Sequence, residues 1–196
     1  INDCLDDLTS EANRVIRESA KNGRPFFLYF PLTAPHKPVQ PHPRFIGKSK
    51  LGLYGDFVMQ VDWTVGQVMQ TIKDSGIEKN TLLIFTSDNG SFMYREEKNN
   101  EGDHVSNPKV QFYSEKNHTA NGVLRGTKAD IWEAGHRVPF FARWPDVIKP
   151  GSTCKKTTAH VDLFATCSQI VDVTLKNNTA EDSYSWLPLF KGGDWD

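Results

Sequence analysis

The residues best suited to chemistry fall in three short stretches. The first is Ser87-Asp88-Asn89-Gly90, which follows the apolar and β-branched run Leu82-Leu83-Ile84-Phe85-Thr86. That run reads as a strand buried on both faces, as in a parallel sheet. Asp88 and Asn89 would place two hard oxygen donors at its carboxyl end, a pair suited to Ca²⁺ or Mg²⁺. Gly90 would let the chain turn sharply after them, although an Asx turn closing a strand uses the same residues. The second stretch is Ala34-Pro35-His36-Lys37-Pro38, whose prolines suppress helix and stiffen the loop that carries His36 and Lys37. An imidazole there can act as an acid or base, or donate to an anion; a solvated loop histidine is the plainer alternative. The third runs from Asn121 to Arg137 and interleaves glycines with Arg125, Lys128, His136 and Arg137, all potential donors to an anion. It lacks the GxxxxGK[ST] spacing of a P-loop. A basic surface loop paired with Asp130 and Glu133 would look the same.

These stretches need elements to hold them. Residues 3–22 carry Leu5, Leu8, Ala12, Val15 and Ile16 at helical spacing, with Gly23 as a stop and Asp6-Asp7 as first-turn acids facing water. Residues 26–30, Phe-Phe-Leu-Tyr-Phe, read as a dense strand leading to His36. A proline-rich surface loop follows to Pro43. The longest periodic segment is 54–75, where Tyr54, Phe57, Val58, Val61, Val65, Val68, Met69 and Ile72 form one apolar face. Strand, helix and strand in succession make a βαβ crossover with a parallel pair, which puts His36 and Asp88 at one sheet edge. Residues 92–120 read as a long polar excursion over the site, and neither His104 nor His118 within it is given a role. A strand is expected over 138–145, a short one over 157–160 and a helix over 161–171. Residues 174–196 form a tail with a small apolar patch at Trp186-Leu187-Pro188-Leu189-Phe190.

Composition narrows the functional class. The 196 residues suffice for one domain, with five Trp and twelve Phe to fill a core. A net charge of −1 provides no global field for nucleic acid or an anionic membrane, so an oxyanion would need a local basic cluster. No apolar run is long enough to span a bilayer. The three cysteines, Cys4, Cys154 and Cys167, lack CxxC spacing, allow at most one intramolecular disulfide and leave the redox compartment open.

Taken in series, three motifs resemble the sulfatases of the alkaline-phosphatase-like superfamily. They are Ala34-Pro35-His36-Lys37-Pro38, then Thr86-Ser87-Asp88-Asn89-Gly90, then Leu124-Arg125-Gly126-Thr127-Lys128 with Trp132-Glu133-Ala134-Gly135-His136-Arg137-Val138-Pro139. The similarity covers roughly residues 25–173 and includes Asp62 and Gly66 of the intervening helix. It implies an α/β fold, a mostly parallel sheet flanked by helices, incomplete at its amino-terminal side, within a single domain over 1–196. It also implies roles. Asp88 and Asn89 match metal ligands, usually for Ca²⁺, with Mg²⁺ as the second choice. His36 matches a histidine near the bridging oxygen of the sulfate ester, and Lys128 a lysine on the sulfate oxygens. Both are therefore catalytic and substrate-binding candidates, while Glu133 and Arg137 are assigned scaffolding roles. Ala129 and Ala134 stand where the family usually has glycine, a small change unless φ is positive.

Two family features have no counterpart. The nucleophile is a formylglycine made from Cys or Ser in a Cys/Ser-x-Pro-x-Arg pattern, and no cysteine or serine of this chain is followed by that pattern. Two further metal-binding aspartates also find no match, and Asp88 with Asn89 alone would hold Ca²⁺ poorly. The expectation is therefore the carboxyl-proximal part of a sulfatase, inactive alone, with the formylglycine upstream. Its partner would be a sulfated small molecule or glycan, with neither nucleic acid nor membrane involved, and the resemblance favours an extracytoplasmic setting. The alternatives are a phosphoesterase of the same superfamily and a non-catalytic binding module.

Overall fold

The computed structural model describes residues 2–91, 118 and 120–194. Most of the expected 92–120 excursion thus lies outside the described residues. Helices α1 (Cys4–Lys21) and α2 (Gly52–Asp74) are followed by strand β1 (Leu83–Thr86), helix α3 (Glu133–His136), strand β2 (Phe140–Arg143) and helices α4 (Asp162–Ile170) and α5 (Leu187–Phe190). Single 3₁₀ turns occur at Pro43–Phe45 and Glu78–Asn80. The chain gathers into two compact units, one of residues 1–77 and 84–141, the other of 78–83 and 142–196.

In the first unit, α1 packs on α2 through one face of each. On α1 that face is Leu5, Thr9, Ala12, Asn13 and Ile16, so the apolar spacing located the helix but left out two buried polar members. Thr9 earns its place by hydrogen bonding: its hydroxyl lies 2.5 Å from the Leu5 carbonyl and 3.1 Å from the Thr64 hydroxyl of α2. On α2, Phe57, Val61, Val68 and Ile72 are buried, whereas Val58 and Met69, expected on the same face, are largely exposed. The segment carries apolar side chains on more than one face, and α1 covers only one of them. Asp6 does not simply face water: its carboxylate takes a bidentate pair from Arg44 and a 3.1 Å hydrogen bond from Gln60. The Arg44 guanidinium also lies over the rings of Phe45 at 4.7 Å and Trp63 at 4.4 Å. Asp56, 1 % exposed, accepts from the Gly47 and Ser49 amides at 2.8 and 2.6 Å and shapes the loop before α2.

The sheet is smaller than the sequence led us to expect. Among the described residues it has two strands, β1 beside β2, and β1 is half-buried with Thr86 exposed instead of covered on both faces. Residues 26–30 and 157–160 form no ladder. A strand exists by pairing, and neither stretch has a partner strand among the described residues, whatever its propensity. Phe27 and Tyr29 are consequently 73 % and 76 % exposed. In the second unit the apolar patch of the tail is anchored. Trp186, 3 % exposed, donates from its backbone to the Thr166 hydroxyl at 2.8 Å and from Nε1 to Asp162 at 3.2 Å. Asp162 also accepts from the amides of Ala159 and Tyr184, fixing the start of α4. All three cysteines are free thiols.

Candidate active site

Asp88 and Asn89 leave the carboxyl end of β1, with Asp88 exposed and Asn89 half-buried. Ser87 Oγ donates to the Asn89 carbonyl at 3.0 Å, and Asn89 Nδ2 donates to the Gly90 carbonyl at 3.1 Å. With its nitrogen committed to the backbone, the Asn89 side chain keeps its oxygen as the end available to a cation. Gly90 is essential for a reason different from the expected sharp turn. Its φ is not positive, but a Cβ there would lie 1.5 Å from the Ala134 carbonyl oxygen. Glycine permits backbone contact between this loop and α3, which the Gly90 amide completes by donating to the Gly135 carbonyl at 3.0 Å.

Lys128 is on the facing loop and half-buried. The Asp130 amide donates to the Thr127 carbonyl at 3.0 Å, closing a four-residue turn with Lys128 and Ala129 at its centre. Ala129 has φ 72° while Lys128 does not have a positive φ, the pattern of a type II turn, whose third position glycine fills without penalty. Ala134, the other alanine in a glycine position, has no positive φ and is 1 % exposed. The Lys128 amide donates to the Ser91 carbonyl at 3.3 Å, joining the lysine loop directly to the Asp88–Asn89 loop. Arg125 lies 3.6 Å above the centre of the Trp132 ring, and Arg137 pairs with Glu133 at 3.2 Å across one turn of α3.

His36 is exposed, on a loop whose Ala34–Pro35 and Lys37–Pro38 bonds are both cis. Its Nδ1 lies 2.9 Å from the Lys37 carbonyl oxygen, which can only accept, so Nδ1 carries a proton. Nε2 then accepts in the neutral ring and donates in the imidazolium. The loop is anchored by Ala34, which packs with Leu5, Phe57 and Val61; Phe85 of β1, three residues before Asp88, packs against the same cluster. A cavity of about 160 Å³ beside the loop is lined in part by Cys4, Leu5, His36, Lys37 and Phe57.

Two residues outside the candidate set tie into these loops. Asn121 accepts from the Ser91 amide at 3.0 Å and donates to the Ser91 and Gly126 carbonyls at 2.9 and 3.3 Å. Tyr54 reaches Ser91 Oγ from α2 at 3.3 Å. An Asn-Gly pair signals only a turn in sequence, and nothing local reveals a side chain bridging thirty residues. Among the described residues no three His, Cys, Asp or Glu side chains gather as they would around a metal ion. Asp88 and Asn89 therefore fit part of a hard-cation shell, and a complete one needs oxygens from elsewhere.

Comparison with known proteins places the chain in one family. The sulfatase family model matches residues 3–173, and the chain belongs to the sulfatase family. It is 36 % identical over 196 residues to an N-acetylgalactosamine-6-O-sulfatase of Bacteroides thetaiotaomicron, covering 98 % of this chain and 35 % of that protein. It is 35 % identical over 185 residues to the steryl-sulfatase of Rattus norvegicus, covering 94 % of this chain and 29 % of the relative. The chain thus spans about a third of the length of the curated relatives it matches. A Bacteroides thetaiotaomicron sulfatase structure from work on glycosaminoglycan metabolism superposes with a TM-score of 0.80 at 35 % identity, over 98 % of this chain and 38 % of that one. A Pseudoalteromonas sulfatase at 24 % identity supports the same fold, with a TM-score of 0.81 over 100 % of this chain and 36 % of its own.

Proposed function

We propose that this chain is the carboxyl-proximal part of a sulfatase catalytic domain and supplies part of the metal and sulfate site of a sulfuric ester hydrolase. The observation that carries the reading is the hydrogen-bonded junction at Ser91, which ties the Asp88–Asn89 loop to the turn bearing Lys128. In this reading Lys128 binds the non-bridging sulfate oxygens and stabilises the charge they carry as the ester S–O bond breaks. His36 orients the bridging oxygen through Nε2 and, as imidazolium, gives it a proton as the alcohol leaves. Asp88 and Asn89 would be two of the ligands of a divalent cation, Ca²⁺ before Mg²⁺, which supplies further positive charge beside the ester. The nucleophile, a formylglycine, belongs to a segment outside this chain. The substrate is a sulfated small molecule or glycan, in keeping with the printed activities of the relatives. The setting is extracytoplasmic, a reading that rests on membership of the sulfatase family.

The test is hydrolysis of 4-nitrophenyl sulfate by the full-length enzyme and its variants. Lys128→Ala is expected to lower kcat by about 10²–10³, and His36→Ala by about 10²–10⁴. Near-normal rates in both would refute the site. Turnover by the purified 196-residue chain would refute the assignment of the nucleophile to another segment.

A further inference from the structure

We propose that Asn121 and Asp130 are positioning residues that hold the Lys128 ammonium in register with Asp88 and Asn89. The inference deepens the functional reading above and rests on it. Lys128 is fastened on both sides by side chains that do not themselves bind an anion. Upstream, the Asn121 carboxamide takes the Ser91 amide and gives its nitrogen to the carbonyls of Ser91 and Gly126. Ser91 is two residues after Asn89, and Gly126 is two before Lys128, so one side chain bridges the two loops beside the backbone bond from Lys128 to Ser91. Downstream, Asp130 Oδ2 accepts from the Thr127 amide at 2.7 Å and the Thr127 hydroxyl at 3.4 Å. Thr127 is 2 % exposed, so these groups have little access to water as a substitute. The carboxylate thereby clamps the turn in which Ala129 is kept at φ 72°.

The physical reason for such a clamp is the length of the lysine side chain. Its ammonium can reach an anion from many backbone positions, and only a fixed backbone removes that freedom before the substrate arrives. A displacement of about 1 Å at a group aimed at developing charge can cost about 100-fold in rate. Removing either clamp should therefore weaken transition-state stabilisation far more than ground-state binding.

The experiment measures kcat, KM and the thermal midpoint for 4-nitrophenyl sulfate hydrolysis by the full-length enzyme. The variants are Lys128→Ala, Asn121→Ala, Asn121→Asp, Asp130→Ala and Asp130→Asn. Asn121→Ala and Asp130→Ala are expected to lower kcat by about 10- to 100-fold with KM changed by less than about threefold. Asp130→Asn keeps an acceptor oxygen for Thr127 and should return kcat to within about threefold of wild type. Should either alanine variant lack a cooperative thermal transition, Asn121→Asp, which loses both donors but keeps the acceptor, and the Asp130→Asn rescue carry the test. Folded alanine variants with kcat within about twofold of wild type, while Lys128→Ala is impaired, overturn this inference alone. Wild-type kcat in Lys128→Ala overturns the functional reading itself.

Discussion

At the level of single residues, Ala129 and Gly90 make opposite predictions. A left-handed alanine costs about 1–2 kcal/mol relative to glycine, while glycine at the same place loses about 0.4–1 kcal/mol more backbone entropy on folding. The first effect is larger, so Ala129→Gly should raise stability by roughly 0.5–1 kcal/mol. Thermal unfolding checks it, and an unchanged or lower midpoint would show that the turn does not strain the residue. At Gly90 the penalty comes from contact, since a Cβ would meet the Ala134 oxygen at 1.5 Å with backbone on both sides. Gly90→Ala should cost about 1–3 kcal/mol and separate the Asp88–Asn89 loop from the Lys128 loop. Loss of both the thermal midpoint and sulfate-ester turnover in the full-length enzyme is the expected readout.

At the level of elements, the junction of α1, α2 and the Pro43–Phe45 turn depends on Arg44. Burial alone would raise the Asp6 carboxyl, but hydrogen bonds from Arg44 and Gln60, with the charges of Arg44 and His42, outweigh it and hold it below the usual range. A carboxyl depressed in the folded state adds stability above its unfolded value, near about pH 4, and loses that contribution as pH falls through the folded value. Arg44→Gln should therefore lower the thermal midpoint clearly at pH 7 and much less near pH 3, and an equal loss at both pH values would mean that ring stacking alone carries the effect. Asn13 presents a different balance: its Oδ1 is buried without a hydrogen-bond partner among the described residues.

At the level of the whole molecule, the described residues leave a large apolar surface in water. Phe27, Tyr29 and Phe141 are each at least 66 % exposed, and a net charge of −1 gives little repulsion between copies. The purified 196-residue chain should bind a hydrophobic dye and self-associate in sedimentation, and Phe27→Lys with Tyr29→Lys should reduce both. A monomeric chain that ignores the dye would mean that these side chains are covered in solution. Metal dependence is expected to separate the chain from the longer enzyme. Two oxygen-bearing side chains hold a cation that takes about six to eight oxygens only weakly. Chelator should leave the midpoint of the 196-residue chain unmoved and lower that of the full-length enzyme.

The residues proposed for the site could be picked out of the sequence because they are chemically uncommon in their places. A histidine between prolines, Asp-Asn-Gly after an apolar run, and a lysine in a glycine-rich basic stretch stand out without coordinates. Helical periodicity located α1 and α2 to within about two residues, because a face that packs must repeat every 3.6 positions. Pairing was not legible, since strand propensity is local and a ladder needs a partner distant in the chain, which residues 26–30 lack among those described. Nor was the reason for Gly90 or the Asn121 bridge, each of which depends on what another part of the chain brings close. Sequence alone determined which chemical groups stand in these three loops, an imidazole, an Asp-Asn pair and a lysine. Tertiary structure decided how two of its loops are fastened, because hydrogen bonds across thirty residues leave no periodic trace in the chain that makes them.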